Sequence, residues 1–223
     1  RAIERFANAE RVVVETFLHV IRNDSVQVAV LPDGTTFDYP PTLQIANYRG
    51  VHTSSIEDAS DPAPAAVRNL ALASAAAGAA KGFRGVCGFD VLTDGSGGSF
   101  VVDLNFRICA STGLVLLAPE LMSVRNRPVI QQVTAYFGGS ADDFARAVAP
   151  EIASGALVPI ASFDGPMAGQ GSSEFTLLLF GRERRETELL MRSLNRRGVN
   201  FKGWEAPFWQ QAQQRLAHLM RKR

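Results

Sequence analysis

The stretch GVCGFDVLTDGSGGSFVVDLNFR, residues 85–107, has the pattern of two β-strands joined by a glycine-rich turn. In its second half, the period-two alternation of a strand places Asp103, Asn105 and Arg107 on one face and apolar side chains on the other. The segment therefore predicts a hairpin in an antiparallel sheet, with one apolar face for a core and one polar face.

The register of this hairpin brings two carboxylates together. If the turn is centred on residues 96–97, Asp90 lies directly across from Asp103, and like charges so placed destabilise a sheet. Mg²⁺ prefers oxygen ligands and is usually held by one or two carboxylates together with substrate phosphates. Asp90, Asp103 and Asn105 provide such oxygens, and the planar guanidinium of Arg107 suits a phosphoryl group. The same pattern also fits a solvated hairpin face with scattered polar residues.

The hairpin resembles the metal-binding hairpin of the ATP-grasp superfamily, whose usual form is Glu-x-Asn-Pro-Arg with an acidic residue on the neighbouring strand. The resemblance implies that Asp90 and Asp103 are the metal carboxylates and Asn105 the metal-binding amide. It also implies that Arg107 contacts phosphate or acyl phosphate. Two positions depart from the usual form, because Asp103 is shorter than Glu and Phe106 stands in place of Pro.

A second resemblance to this superfamily lies near the start of the chain. The run RVVVETFL, residues 11–18, looks like the strand and hinge that hold adenine. The resemblance implies that Glu15 and the backbone of Phe17 and Leu18 place the adenine. It also implies that Asp24 contacts the ribose, although its spacing is longer than usual. Taken alone, Glu15 is an ordinary carboxylate at the end of a strand.

The resemblance covers about residues 1–120 and implies an ATP-dependent ligase. In such an enzyme a carboxylate attacks the γ-phosphate of ATP, and an amine or similar nucleophile then displaces phosphate from the acyl phosphate, most often forming a carbon–nitrogen bond. The implied cofactors are ATP and Mg²⁺, or Mn²⁺. Two alternatives stay open: a non-catalytic module that binds nucleotide or a partner, which the short Asp103 favours, and a phosphotransferase.

Composition limits the other classes of function. The chain has 223 residues, of which 46% are apolar, enough for a substantial core. A net charge of +1 indicates no broad attraction to nucleic acid or to a membrane surface. Cys87 and Cys109 lack the spacing of a thiol-rich metal site. From composition we therefore expect a cytoplasmic protein with no nucleic-acid or membrane partner. The resemblance implies small-molecule carboxylate and amine substrates, and a homodimer stays open.

The predicted fold class is α+β, an ATP-grasp-like antiparallel sheet with flanking helices. We expect residues 1–124 to form the C-terminal lobe of that fold, and residues 125–223 to form an α/β extension packed on it. The chain starts as if in the middle of a helix, and no glycine-rich loop precedes Glu15. We therefore expect the superfamily's N-terminal lobe, with its lysine and glycine-rich loop, to lie outside this chain.

Periodicity and turn residues assign most of the elements. Strands are predicted at 11–18, 25–31, 35–39, 156–162 and 174–180, and helices at 64–81, 112–123, 142–149, 183–196 and 207–220. Residues 42–56 read as a loop that is hard to assign. Within them His52 is either a contact for substrate or phosphate, or an ordinary loop histidine.

Overall fold

The structure is a computed structural model that describes residues 11–47 and 50–204. Its centre is one antiparallel sheet of ten strands, in the order β6-β5-β1-β3-β4-β7-β9-β8, with β2 beside β1 and β10 beside β7. The strands are β1 (Val20–Val30), β2 (Thr36–Asp38), β3 (Thr42–Ala46), β4 (His52–Asp58), β5 (Gly85–Asp94), β6 (Ser99–Asn105), β7 (Val129–Phe137), β8 (Leu157–Phe163), β9 (Ser173–Gly181) and β10 (Val199–Phe201).

Helices cover parts of both faces of this sheet. In the described part of the chain they are α1 (Ala65–Ala80), α2 (Thr112–Arg125), α3 (Ala141–Ala147), α4 (Ala149–Ala153) and α5 (Arg184–Arg196). Among these residues, no helix has the length and apolar character that a bilayer crossing requires. The predicted α+β class, an antiparallel sheet with flanking helices, is confirmed.

The hairpin of β5 and β6 has the predicted register at its functional end. Asp90 pairs directly with Asp103, and the register shifts by a bulge between Asp90 and Val91, nearer to the turn. β1 lies along the other side of β5 and places Ser25 opposite Asp90. The hairpin is thus tied into the sheet on one side, while β6 forms the sheet edge on the other.

The apolar face of this part of the sheet packs against α1. Its alanine-rich sequence has high helix propensity, and small side chains let the helix approach the strands closely. The fully buried cluster consists of Val26, Val28, Val67, Ala71, Ala75, Cys87, Phe89 and Val91. Burial of this face fixes the register, because a one-residue slip would turn these side chains to the opposite face. The polar face, with Asp90 and Ser25, is held in place by the same packing.

The sheet continues without a break past residue 124. β4 pairs with β7 from Ser54↔Val133 to Asp58↔Val129, and β7 then pairs with β9 along its full length. The part after 124 thus extends the sheet laterally, and its helix α5 adds a second apolar cluster around Leu177. The boundary at residue 124 between a C-terminal lobe and an α/β extension stays a prediction.

An ion-pair network joins the two parts on the α1 side of the sheet. Arg22 donates to Asp24 at 2.8 Å and to Asp61 at 2.7 Å. Arg184, at the start of α5, donates to Asp58 at 2.7 Å and also pairs with Asp61. Since Asp24 is fully buried, its charge is compensated by Arg22 and not by water.

The predicted strand at 11–18 is wrong. Residues 11–19 have no regular structure, and the first strand pair is Val20↔Asp94. In this segment Val14 is 89% exposed and Phe17 94% exposed. Apolar, β-branched sequence favours a strand, but a strand needs a partner for its backbone groups, and no described strand lies beside this segment.

Two regions of the chain form strands that the sequence did not predict. Residues 42–56 contain β3 and most of β4, and residues 129–137 form β7. Their buried polar residues, such as Ser55 and Gln131, interrupt the apolar alternation on which strand assignment depends. The remaining strands and helices up to residue 196 match their predictions to within about five residues, apart from α4, which was not predicted. β10, after residue 196, was not predicted either. The predicted helix at 207–220 lies outside the described residues.

We expect Gly165→Ala to destabilise the fold by about 1–3 kcal/mol, the usual range for forced overpacking. A Cβ atom at Gly165 would lie 1.8 Å from the backbone oxygen of Ser172, so the backbone itself has to move. Gly171, in the same loop, has no atom within 4 Å of such a Cβ and provides the matched control. Urea unfolding of both variants checks this. Equal midpoints for the two would show that the loop absorbs the extra methyl group.

Candidate active site

The polar face of the β5–β6 hairpin borders a cavity of about 230 Å³. It is lined by Ser25, Gln44, His52, Ser55, Asp90, Asp103, Asn105, Arg107, Cys109, Ala110 and Ser111. The four residues that the sequence assigned to metal and phosphate, from Asp90 to Arg107, all belong to this set. Strands β1, β3, β4, β5 and β6 and the start of α2 contribute to one concave surface.

Asp90 is the partly buried carboxylate of the site. Gln44 donates its Nε2 hydrogen to Asp90 Oδ1 at 2.7 Å, and Ser25 also forms a side-chain hydrogen bond with Asp90. Burial raises the pKa of Asp90 above its ordinary value and the nearby charge of Asp103 adds to this, while the two hydrogen bonds act in the opposite direction. A cation at this point would favour the ionised form that a metal ligand needs.

The other two predicted ligands lie on the edge strand, more open to solvent. Asp103 is exposed, and Asn105 donates its Nδ2 hydrogen to Asp103 Oδ2 at 2.7 Å. Arg107 is exposed and donates to the backbone oxygen of Ile108 at 3.2 Å. In the described part of the chain no carboxylate forms an ion pair with Arg107, so its guanidinium can bind an anionic ligand.

The oxygen-rich donor set fits Mg²⁺. The described residues contain no group of three or more His, Cys, Asp or Glu side chains arranged around a metal position. The set here is two carboxylates and one amide, and Mg²⁺ needs only one or two carboxylates when substrate phosphates complete its coordination. Asp90 and Asp103 face each other directly without an intervening basic side chain from either strand. A divalent cation bound between them would compensate this repulsion.

The start of α2 is anchored beside the cavity by a buried glutamine. Gln27 Nε2 donates to Ser111 Oγ at 2.9 Å, and Thr112 Oγ1 donates to Gln27 Oε1 at 2.5 Å. Ser111 makes no side-chain cap hydrogen bond to the helix, and both hydroxyls instead hold the start of α2 to β1. Helix N-termini favour anions, so this placement suits a phosphate group in the cavity.

Sequence reasoning did not predict β3 and β4 as strands, although it named His52 as one possible contact for substrate or phosphate. Asn23 donates to Gln44 Oε1 at 3.3 Å, and Gln44 in turn holds Asp90. His52 and Ser55, from β4, form the opposite wall and lie 3.2 Å apart between Nε2 and Oγ. The polar alternation of Asn23, Ser25 and Gln27 along β1 was the available signal that this face of the sheet is polar.

The structure does not bring the predicted nucleotide residues to the cavity. Glu15, Phe17 and Leu18 lie in the irregular segment before β1. The structure differs from the predicted ribose contact of Asp24, because this side chain is fully buried and paired with Arg22. Ser25 lies opposite Asp90, and strand alternation therefore puts Asp24 on the other face of the sheet. A ribose contact at this cavity is therefore not available to Asp24.

Comparison with known proteins agrees with the geometry. The sequence model of a family described as L-aspartate–L-methionine ligase, ATP grasp, matches residues 1–105. This range includes Asp90, Asp103 and Asn105 and ends just before Arg107.

Solved structures of N5-carboxyaminoimidazole ribonucleotide synthetases have a similar fold. The enzyme from Thermus thermophilus superposes with a TM-score of 0.54 at 18% identity, covering 87% of this chain and 54% of that one. An ADP complex of such a synthetase gives 0.53 at 13% identity, covering 81% and 50%. The phosphoribosylaminoimidazole carboxylase ATPase subunit from Aquifex aeolicus gives 0.55 at 12% identity, covering 82% and 57%.

The chain spans about half the length of these structures, between 50% and 57% in the three cases. At such low identity the superpositions establish the fold alone. The ATP-grasp family model that matches residues 1–105 and the shared fold both support a relationship between this chain and the ATP-grasp superfamily.

Proposed function

We propose that the protein is an ATP-dependent ligase that converts a carboxylate into an acyl phosphate, which an amine then attacks to form a carbon–nitrogen bond. The observation that carries this proposal is the direct pairing of Asp90 with Asp103, with Asn105 and Arg107 lining the same cavity. Carboxylate, amide and guanidinium groups so placed can bind a metal–phosphate complex and provide no nucleophile of their own.

Phosphoryl transfer depends mainly on positioning and charge neutralisation, which this set of residues can supply. Asp90, Asp103 and Asn105 would hold Mg²⁺, which supplies neutralisation of the charge on the phosphate oxygens. Arg107 contacts the transferring phosphoryl group or the acyl phosphate. At about 230 Å³, the cavity is below the usual size of a ligand pocket, so it accommodates the reacting end of the nucleotide rather than the whole molecule.

Adenine placement by Glu15, Phe17 and Leu18 belongs to the proposal as well. These residues lie in the irregular segment immediately before β1, where Glu15 and Phe17 are exposed and Leu18 is partly buried. The family model that matches this region carries the description L-aspartate–L-methionine ligase. We therefore propose amino acids as the class from which both the carboxylate and the amine substrates come.

The proposal is tested with the full-length protein, ATP and Mg²⁺, offered pairs of amino acids while ADP and phosphate release is recorded. We expect release that requires both Mg²⁺ and an amino-acid pair. Arg107→Ala should lower kcat by on the order of 10²–10³-fold, the effect of removing one group that stabilises transition-state charge. The exposed Arg196 on α5, changed to Ala, is the matched control and should leave kcat unaltered.

Tight ATP binding without turnover, for any amino-acid pair, would favour the non-catalytic nucleotide-binding module. Release of a stable phosphorylated compound without a new carbon–nitrogen bond would favour a phosphotransferase. Mass spectrometry of the products separates these outcomes from ligation.

A further inference from the structure

Among the residues that the structure describes, His52 is the one histidine that lines the cavity, and the metal and phosphate roles leave it unused. It begins β4 on the wall formed by that strand, and its Nε2 lies 3.2 Å from Oγ of the buried Ser55. This contact orients the ring toward the shared space, where Asp90 lies close enough for its charge to act on the imidazole. The ring therefore shares the cavity with the proposed metal and phosphate residues without being one of the predicted ligands.

We propose that His52 is the general base that accepts the proton of the attacking amine in the second step of the proposed ligation. This inference rests on the proposed function and adds a catalytic residue to it. When the amine nitrogen attacks the acyl phosphate, a bond forms between nitrogen and the carbonyl carbon. The bond between that carbon and the phosphate oxygen breaks, and phosphate leaves with the electron pair. The surplus proton on nitrogen passes to the ring nitrogen of His52, which later returns it to solvent.

The other side chains in the cavity are unsuited to this task. Asp90 and Asp103 are assigned to the metal, while Arg107 and the amides have no basic lone pair at neutral pH. Burial raises the pKa of the Cys109 thiol, so that group stays protonated. An imidazole is the side chain whose protonation changes near neutral pH, and general bases contribute about 10²–10⁴-fold to rate.

The surroundings of His52 keep the ring ready to accept a proton at neutral pH. Burial lowers its pKa from the ordinary histidine value and the nearby Lys202 also lowers it. The charge of Asp90 and a backbone hydrogen bond at Ser54 act in the opposite direction, and the balance is a lowered pKa. In the described ranges 11–47 and 50–204, the charged groups that act on the ring are thus Asp90, from β5, and Lys202, from the segment after β10.

The experiment compares two nucleophiles in one variant, His52→Gln, which keeps a polar side chain but cannot act as a base. Hydroxylamine is neutral at pH 7 and attacks acyl phosphates without a base, so the hydroxamate reports formation of the acyl phosphate. We expect His52→Gln to lose amide formation by on the order of 10²-fold or more, and to keep hydroxamate formation within about threefold of the unaltered protein. Asp103→Ala is the comparison variant, and it should lose both products.

The same experiment contains the results that would overturn the inference. Unaltered amide formation in His52→Gln would show that the ring takes no proton. A parallel loss of amide and hydroxamate would place His52 in the phosphoryl-transfer step instead. Absence of hydroxamate from the unaltered protein, with every carboxylate offered, would overturn the proposed function itself. Because His52 lines the cavity and belongs to none of the apolar core clusters, an unchanged melting temperature is expected for the variant.

Discussion

Replacing Asp103 by alanine is expected to lower Mg²⁺-dependent ATP turnover by on the order of 10²–10³-fold while the protein stays folded. The side chain is exposed on the edge strand β6, and its hydrogen bond in the structure comes from Asn105. Its removal also takes away the charge that faces Asp90. We therefore expect little change in the free energy of unfolding, whereas the proposed Mg²⁺ site loses one of its two carboxylate ligands.

Asn105→Ala should behave in the same way, because the amide is the third proposed oxygen ligand and lies at the same end of β6. Turnover is measured over a range of Mg²⁺ concentrations. A residual activity that recovers partly at high Mg²⁺ would indicate that the ligand contributes to metal affinity. Calorimetric binding of Mn²⁺ in the presence of ADP provides a readout that does not depend on catalysis.

The matched control for both variants is Asp142→Ala, which removes an exposed carboxylate from the first turn of α3, outside the cavity. It should leave turnover and Mg²⁺ dependence unchanged. Full activity in both Asp103→Ala and Asn105→Ala would contradict the metal assignment and the ligase proposal that depends on it.

Glu57→Gln is expected to make the protein more stable above neutral pH and to remove part of its pH dependence. Glu57 lies on β4, in the wall of a separate cavity of about 390 Å³, and its Oε2 is buried without a hydrogen-bond partner in the described residues. Burial raises the pKa of Glu57 from 4.5 to about 7. The folded protein therefore binds a proton that the unfolded chain releases.

The sign of the pH effect follows from this difference. Where the folded state binds more protons than the unfolded state, the free energy of unfolding falls as pH rises. The contribution of Glu57 is fully present below pH 4.5, falls as the pH rises to about 7, and is absent above that. At 1.36 kcal/mol per pKa unit, a shift from 4.5 to about 7 gives an upper limit of about 3 kcal/mol, which solvent screening reduces.

The measurement is urea unfolding of both proteins at intervals between pH 5 and pH 8. The difference in unfolding free energy between Glu57→Gln and the unaltered protein should be small at pH 5 and grow to its full value near pH 8. Glu174→Gln, at an exposed glutamate of β9, is the control and should show no such trend. A difference that stays constant across this range would show that Glu57 is ionised in the folded protein throughout.

The sequence alone was sufficient for the hairpin and for the pairing of its two carboxylates. Alternation and a glycine-rich turn act over a few residues, so the register of Asp90 with Asp103 could be predicted from them. The helices with strong propensity or clear end signals, such as α1 and α5, were predicted for the same local reason.

The rest of the cavity wall depended on contacts between distant residues. Gln44 and His52 lie in strands whose sequence is largely polar, and they become strands because β1, β3, β4 and β7 pair side by side in the folded sheet. The segment 11–18 shows the opposite case, in which an apolar sequence favours a strand but lacks a described partner. Local propensity is too weak to decide such segments, since pairing and burial contribute more to sheet formation than intrinsic preference.

The sequence by itself therefore determined the β5–β6 hairpin with its paired carboxylates, the fold class and the superfamily resemblance, all of which depend on short-range pattern. The tertiary structure decided which face each side chain occupies across the sheet. It paired Asp24 with Arg22 on the face opposite the cavity, and it placed Gln44, His52 and the start of α2 around Asp90. These positions follow from strand order and helix packing, which bring together residues far apart in the chain and leave no local signal in it.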